Sequence, residues 1–156
     1  MKGTLSKQVN NTMSIIRIAP ICNGKVYLTP RPTERKTLIM DVPIEEHVEQ
    51  WSAKSKKAIQ EIKERYSENI HSIDLPRFCA QYKSTVHPEA TVYLYVLPLK
   101  QEDEIHFHDG QFIPVEEISK DMRLYSRDLQ EESELLCMAS ELWNDYFTAT
   151  NKKGME

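Results

Sequence analysis

The chain has 156 residues, a length most simply met by one compact domain, and 40% apolar with 28% charged residues is an ordinary globular balance. It holds only 4 glycines, where about 11 would be usual, and Gly3 and Gly154 stand near its ends, which excludes a glycine-rich phosphate loop. Its 20 basic and 24 acidic residues give a net charge of −4, which excludes the basic face of a polynucleotide-binding domain.

Residues 1–13 (MKGTLSKQVNNTM) lack periodicity and are expected to form a flexible arm. From Ser14, SIIRIAP and KVYLTPR read as two strands joined by a tight turn at Asn23-Gly24. KTLIMDVP follows as a third extended segment ended by Pro43, and IEEHVEQW reads as acidic and irregular. Ser52 can cap a helix running to about Glu68. At 100° per residue Ala58, Ile59, Ile62 and Tyr66 share one arc, the width of a core-facing stripe, with Lys57, Glu61, Glu64, Arg65 and Glu68 opposite. PRFCAQYKSTV and TVYLYVLPL predict a hairpin around His87-Pro88-Glu89-Ala90. FIPVEEI is a short extended piece, and Leu129 to Phe147 a final helix with Leu136, Ala139, Trp143 and Phe147 at core spacing.

This order of elements predicts an α+β fold, an α/β/α sandwich with a mixed sheet, in a single domain over 14–148 with a disordered tail at 149–156. The three cysteines, Cys22, Cys79 and Cys137, are far apart and read as buried thiols rather than a disulfide framework or a zinc site. No apolar signal core and no run of about 18 apolar residues is present, so a cytoplasmic protein with no membrane partner is expected.

The segment HVEQWSAKSKKAIQEIKERY, with VP just upstream, resembles the Nudix box: Gly, five residues, Glu, seven residues, then Arg-Glu-(aliphatic)-x-Glu-Glu-x-Gly. Aligning Gln60-Glu61-Ile62-Lys63-Glu64-Arg65 on its second half puts Ser52 at the first Glu position and Glu46 at the loop Gly, with the spacing kept. KVYLTPR resembles the family's strand ending in Arg, DVP its Asp-Leu-Pro, and FIPVEEI its Trp-Phe-Pro-x-x-Glu-Leu segment, so the likeness spans roughly residues 14–147.

The resemblance implies a Nudix-like fold and a Mg²⁺-dependent (or Mn²⁺-dependent) pyrophosphohydrolase of a nucleoside-diphosphate-linked substrate. It implies Glu61 and Glu64 as catalytic residues and metal ligands, Glu46 as a further metal ligand from the adjoining loop, and Arg31 and Arg65 as substrate-binding groups. The implied partner is a small phosphorylated molecule such as a nucleotide, with no nucleic-acid polymer; the oligomeric state is left open. The sequence also departs from the box where charge matters, since Arg65 takes a Glu position, Gln60 the Arg, Ser52 a Glu, and Glu46 and Ser67 the two Gly. The alternative expectation is therefore a decayed Nudix-fold module that binds a nucleotide-like ligand or a protein partner. On that reading Lys57, Glu61 and Arg65 are a ladder of i, i+4 ion pairs on a solvated helix.

Weaker candidates remain. Arg17 and Arg35 are potential phosphate-pairing groups beside Arg31. Glu45, Glu49, Glu102 and Glu104 are possible extra carboxylates, and His87 a possible substrate contact. The His106-x-His108 pair beside Asp109 reads as an exposed turn rather than a metal site, and Cys79 is not expected to be a nucleophile.

Overall fold

An apolar strand interrupted by one charge organises the molecule. In a computed structural model of the protein, which describes residues 13–155 and side chains through 149, the elements in chain order are β1 (Ser14–Cys22), β2 (Lys25–Pro32), β3 (Leu38–Asp41), β4 (Ile44–Val48), α1 (Lys56–Arg65), β5 (Arg77–Lys83), β6 (Thr91–Pro98), β7 (Gln111–Pro114) and α2 (Arg127–Met155). Except for Met13, the arm expected over 1–13 lies outside the described residues.

Every residue of β1 is buried, because the strand has neighbours on both edges. It runs parallel to β6 from Ser14↔Thr91 to Ile21↔Pro98. Its other edge is shared by two antiparallel partners, β4 along Ser14–Ile18 and β2 at Ile21–Cys22. β3 and β7 extend the sheet from β2, and β5 forms the far edge against β6, giving the order β3-β2-β1-β6-β5 with β4 and β7 off that path. At the Asn23-Gly24 turn both residues have positive φ, 51° and 78°, the geometry a two-residue hairpin needs.

Side-chain alternation along β1 divides the interior into two layers. Ile16, Ile18 and Cys22 face one way, into a core shared with Ile59 and Ile62 of α1 and with Tyr95 and Leu97 of β6. Ala19 and Ile21 face the other, into a core shared with Leu129 and Leu136 of α2, with Trp143 packed against its rim. The α+β sandwich with a mixed sheet is thus the observed architecture.

Three elements differ from expectation. IEEHV is a strand, β4, because Ile44 and Val48 pack into the α1-side core and the charge of Glu45 on the opposite face is met by Arg17. The final helix begins at Arg127 and continues through Met155, so its backbone takes up most of the segment expected as a tail at 149–156. The first helix is shorter than expected: Ser55, not Ser52, is its cap, accepting from the Ala58 amide at 3.3 Å. Among the described residues, no helix is long and apolar enough to cross a membrane.

One of the two central glycines is dictated by packing. The Tyr27 hydroxyl is held at both ends of its reach, donating to the Phe107 carbonyl (3.1 Å) and accepting from the Phe107 amide (2.7 Å), while its ring meets Phe112 edge-on. A Cβ on Gly110 would lie 2.5 Å from Tyr27 Cε2 and closer still to Cζ and the hydroxyl. Gly110→Ala is therefore expected to destabilise the protein by about 1–3 kcal/mol, as overpacking against an immobile ring does. Urea unfolding measures this; an unchanged midpoint would contradict it.

Candidate functional site

The face of α1 opposite its buried Ile59 and Ile62 presents Gln60, Glu61, Glu64 and Arg65 to solvent. Gln60 Nε2 donates to Glu64 Oε1 at 3.2 Å, so the residue at the box arginine position still touches one glutamate. Glu61 makes no side-chain hydrogen bond or ion pair among the described residues. The expected ladder Lys57–Glu61–Arg65 does not form, because Arg65 reaches away from its own helix.

Its partner is Glu46. Arg65 Nη1 donates to Glu46 Oε2 at 2.6 Å, joining the last turn of α1 to β4. Glu46 stands on the α1 side of its strand by the same alternation that buries Ile44 and Val48 there. Burial, then the Glu46 charge, holds the neighbouring Tyr66 phenol above its ordinary range. Two departures from the box pattern, a carboxylate replaced by Arg and a glycine replaced by Glu, thus meet as one ion pair. The donor set does not fit Mg²⁺: a guanidinium stands where the resemblance implies a third carboxylate, and it neutralises the ligand expected from the loop. Among the described residues, no group of three His, Cys, Asp or Glu side chains could hold a metal ion. Glu102 turns to Lys25 (3.6 Å), and Glu104 accepts from the Lys100 amide at 3.1 Å.

On the other side of the sheet, Arg17 is fully buried, which removes it as a phosphate contact. It shares its face of β1 with Ala19 and Ile21 and reaches α2, where Nε and Nη2 donate to the two oxygens of Glu132 at 2.8 and 2.9 Å. Nη2 also donates to Asp41 Oδ1 at 2.7 Å, and Nη1 to Glu45 Oε1 at 2.6 Å. Tyr82 completes the set, its hydroxyl donating to Glu132 Oε2 at 2.7 Å. Burial pushes the Asp41 and Glu45 carboxyls up, but the Arg17 and Arg31 charges outweigh it and hold both below their ordinary range. For Glu132, buried more deeply, desolvation outweighs Arg17 and the carboxyl sits above its ordinary range.

Arg31 belongs to the edge of this network. It donates to Asp41 Oδ2 at 3.0 Å and to the Val42 carbonyl at 2.7 Å, and it lies 3.6 Å from Glu45. It lines an open cleft of about 680 Å³ together with Arg35, His87 and Arg127, and with Glu34, Asp41, Glu45 and Asp128. Of these, Arg31, Asp41 and Glu45 are already committed to one another and to Arg17. Arg31 and the pair Arg65–Glu46 do not meet in one constellation: Arg31 is bound to Asp41, and Arg65 to Glu46 on the α1 side of β4.

Burial raises the thiols of Cys22, to about 11, and of Cys79 and Cys137, so none is an activated nucleophile. His108 is exposed and pairs with Asp109 at 3.2 Å, in keeping with a turn.

No family model matches the chain, and no curated protein is similar to it in sequence. Solved structures are similar in fold. The E. coli ORF135 protein matches with a TM-score of 0.56 at 14% identity, over 81% of this chain and 89% of that one. The C-terminal domain of mouse MUTYH, solved in complex with human PCNA, matches with a TM-score of 0.56 at 13% identity, over 83% and 89%. A Nudix hydrolase from Nitrosomonas europaea matches with a TM-score of 0.50 at 12% identity, over 81% and 88%. The fold is that of the Nudix hydrolases. At these identities the likeness carries the Nudix architecture and leaves the chemistry to the side chains, where the box helix holds Glu61 and Glu64 but pairs Arg65 with Glu46.

Proposed function

We propose that this protein is a Nudix-fold module that works by binding a small phosphorylated or nucleotide-like molecule, without hydrolysing it. The observation that carries this reading is the 2.6 Å ion pair between Arg65 and Glu46. A dication beside Glu61 and Glu64 would face a guanidinium, and at an effective dielectric near 20 a unit charge pair ~4 Å apart is worth about 4 kcal/mol. That repulsion cuts into the attraction of two carboxylates that are themselves exposed to water and screened by it. The fold itself is compatible with a binding role, since one neighbour of this shape is a domain captured in a complex with another protein.

The test is a panel of nucleoside triphosphates, nucleotide sugars, dinucleoside polyphosphates and ADP-ribose with Mg²⁺ or Mn²⁺, scored by coupled phosphate release. No turnover is expected, and calorimetric titration with either metal at millimolar concentration is expected to give no heat. Metal-dependent turnover that Glu64→Gln abolishes would establish the hydrolase instead.

A further inference from the structure

A second cleft, of about 580 Å³, opens beside the first turn of α1, between that turn and the start of β5. Its size is that of a small-molecule site. Lys54 and Lys56 line it against one carboxylate, Asp74, a local excess of positive charge in a chain whose net charge is −4. Neither Lys54 nor Lys56 has a side-chain hydrogen bond or ion pair among the described residues. Arg77, at the start of β5, adds to the rim but lays its guanidinium 5.9 Å from the centre of the Trp143 ring, on the α2 side of the sheet.

These lysines stand where a helix disfavours them. The first turn of α1 contains no acidic residue, and Lys56 with Lys57 places like charge on the positive end of the helix dipole. A local rule broken without a compensating contact marks a place where something else supplies the balance. The wall opposite is apolar and fixed. Phe78 is 46% exposed and meets Tyr95 edge-on (5.6 Å, 71°), while Tyr95 meets Trp51 edge-on and accepts from its indole N–H at 3.0 Å. Ile73, 91% exposed, adds an aliphatic surface to the same rim.

We infer that this cleft binds a small anion carrying a planar apolar body, of the aryl phosphate or aryl sulfonate class. The lysines hold the anionic group and Phe78 the ring. The cleft around Arg31 is the poorer choice for such a ligand, because Arg31 is already bonded to Asp41 and the Val42 carbonyl, and Glu34 and Asp128 stand beside its other arginines. Lys56 and Glu64 are eight residues apart, about 12 Å along the helix, so the inference goes beyond the binding reading above and holds whether or not the box helix turns over a substrate.

1-Naphthyl phosphate titrated into the full chain, followed by calorimetry and tryptophan fluorescence, tests it, with inorganic phosphate as the second probe. Saturable one-to-one binding of naphthyl phosphate is expected, tighter than that of phosphate. The double variant Lys54→Glu/Lys56→Glu is expected to weaken it about tenfold or more. The same variant is expected to melt at a higher temperature, since it relieves the helix terminus. Phe78→Ser is expected to weaken naphthyl phosphate and leave phosphate unchanged. The assignment is overturned if wild type shows no saturable binding, or if phosphate binds as tightly as naphthyl phosphate. It is equally overturned if the double lysine variant binds as wild type does while Arg35→Glu, in the other cleft, abolishes binding.

Discussion

Arg17→Met is expected to destabilise the protein by about 3–5 kcal/mol, the cost of removing one member of a buried ion network and leaving the others uncompensated. Asp41 and Glu132 are buried, Glu45 is partly so, and all three are bonded to the same guanidinium. Against a total stability of about 5–15 kcal/mol this is a large fraction, and in a chain of this size it lowers the melting temperature by roughly 6–20 °C. The pH dependence gives a sharper signature. In wild type the Asp41 and Glu45 carboxyls sit below their ordinary values of 3.8 and 4.5. Their contribution is present above those values and is lost as pH falls through the lower folded ones. In Arg17→Met, burial remains and only Arg31 still faces Asp41 and Glu45, so the folded carboxyls rise, with Glu132, already above its ordinary range, raised the most. Stability should then increase as pH falls from 7 toward 4, the direction that Glu132 alone of the three gives in wild type, and opposite in sign to the loss that Asp41 and Glu45 give there at still lower pH. Thermal melts at pH 7, 5 and 3 read both. Adding Glu132→Leu should recover part of the loss at neutral pH, because an apolar replacement removes the orphaned charge. Equal melting of Arg17→Met and wild type at neutral pH would refute the network's role.

Arg17 also shows where sequence reasoning reaches its limit. Strand and helix periods were enough for the individual strands, the Asn23-Gly24 hairpin and the core stripe of Ile59 and Ile62, because each is decided by residues close together in the chain. The strand character of IEEHV was not legible. Its two core residues are separated by charges whose partners lie far off in sequence, Arg17 for Glu45 and Arg65 for Glu46. For the same reason Arg17 reads as a phosphate contact until α2 brings Glu132 against it, 115 positions away. The signal that could have found the network is the single charge inside the otherwise apolar SIIRIAP, since a charge on a strand buried on both faces has to be paired. At the box, spacing exposed both departures, Arg65 and Glu46, but only the fold puts them in contact.

That contact makes Arg65→Glu the decisive variant for the candidate site. It reverses a charge next to Glu61 and Glu64, frees Glu46, and turns a guanidinium-capped face into one of four neighbouring carboxylates. Two effects of opposite sign are expected. Removing an exposed ion pair costs about 0–1 kcal/mol, and the new repulsion with Glu46 adds to it, so the variant should melt slightly lower in the absence of divalent metal. With millimolar Mg²⁺ or Mn²⁺ the loss should be reversed, because an ion bound only by the folded state stabilises it in proportion to its occupancy. Replacing repulsion by attraction at an effective dielectric near 20 is worth several kcal/mol, on the order of a hundredfold or more in metal affinity. Calorimetry should therefore show metal heat in Arg65→Glu and none in wild type, and Glu64→Gln in the same background should remove it. Arg65→Ala/Glu46→Ala separates the two contributions: it deletes the ion pair without supplying a ligand, so it should be nearly neutral in stability and gain little metal binding. If wild type already binds metal as tightly as Arg65→Glu, the ion pair does not displace the metal, and the box helix is a metal site.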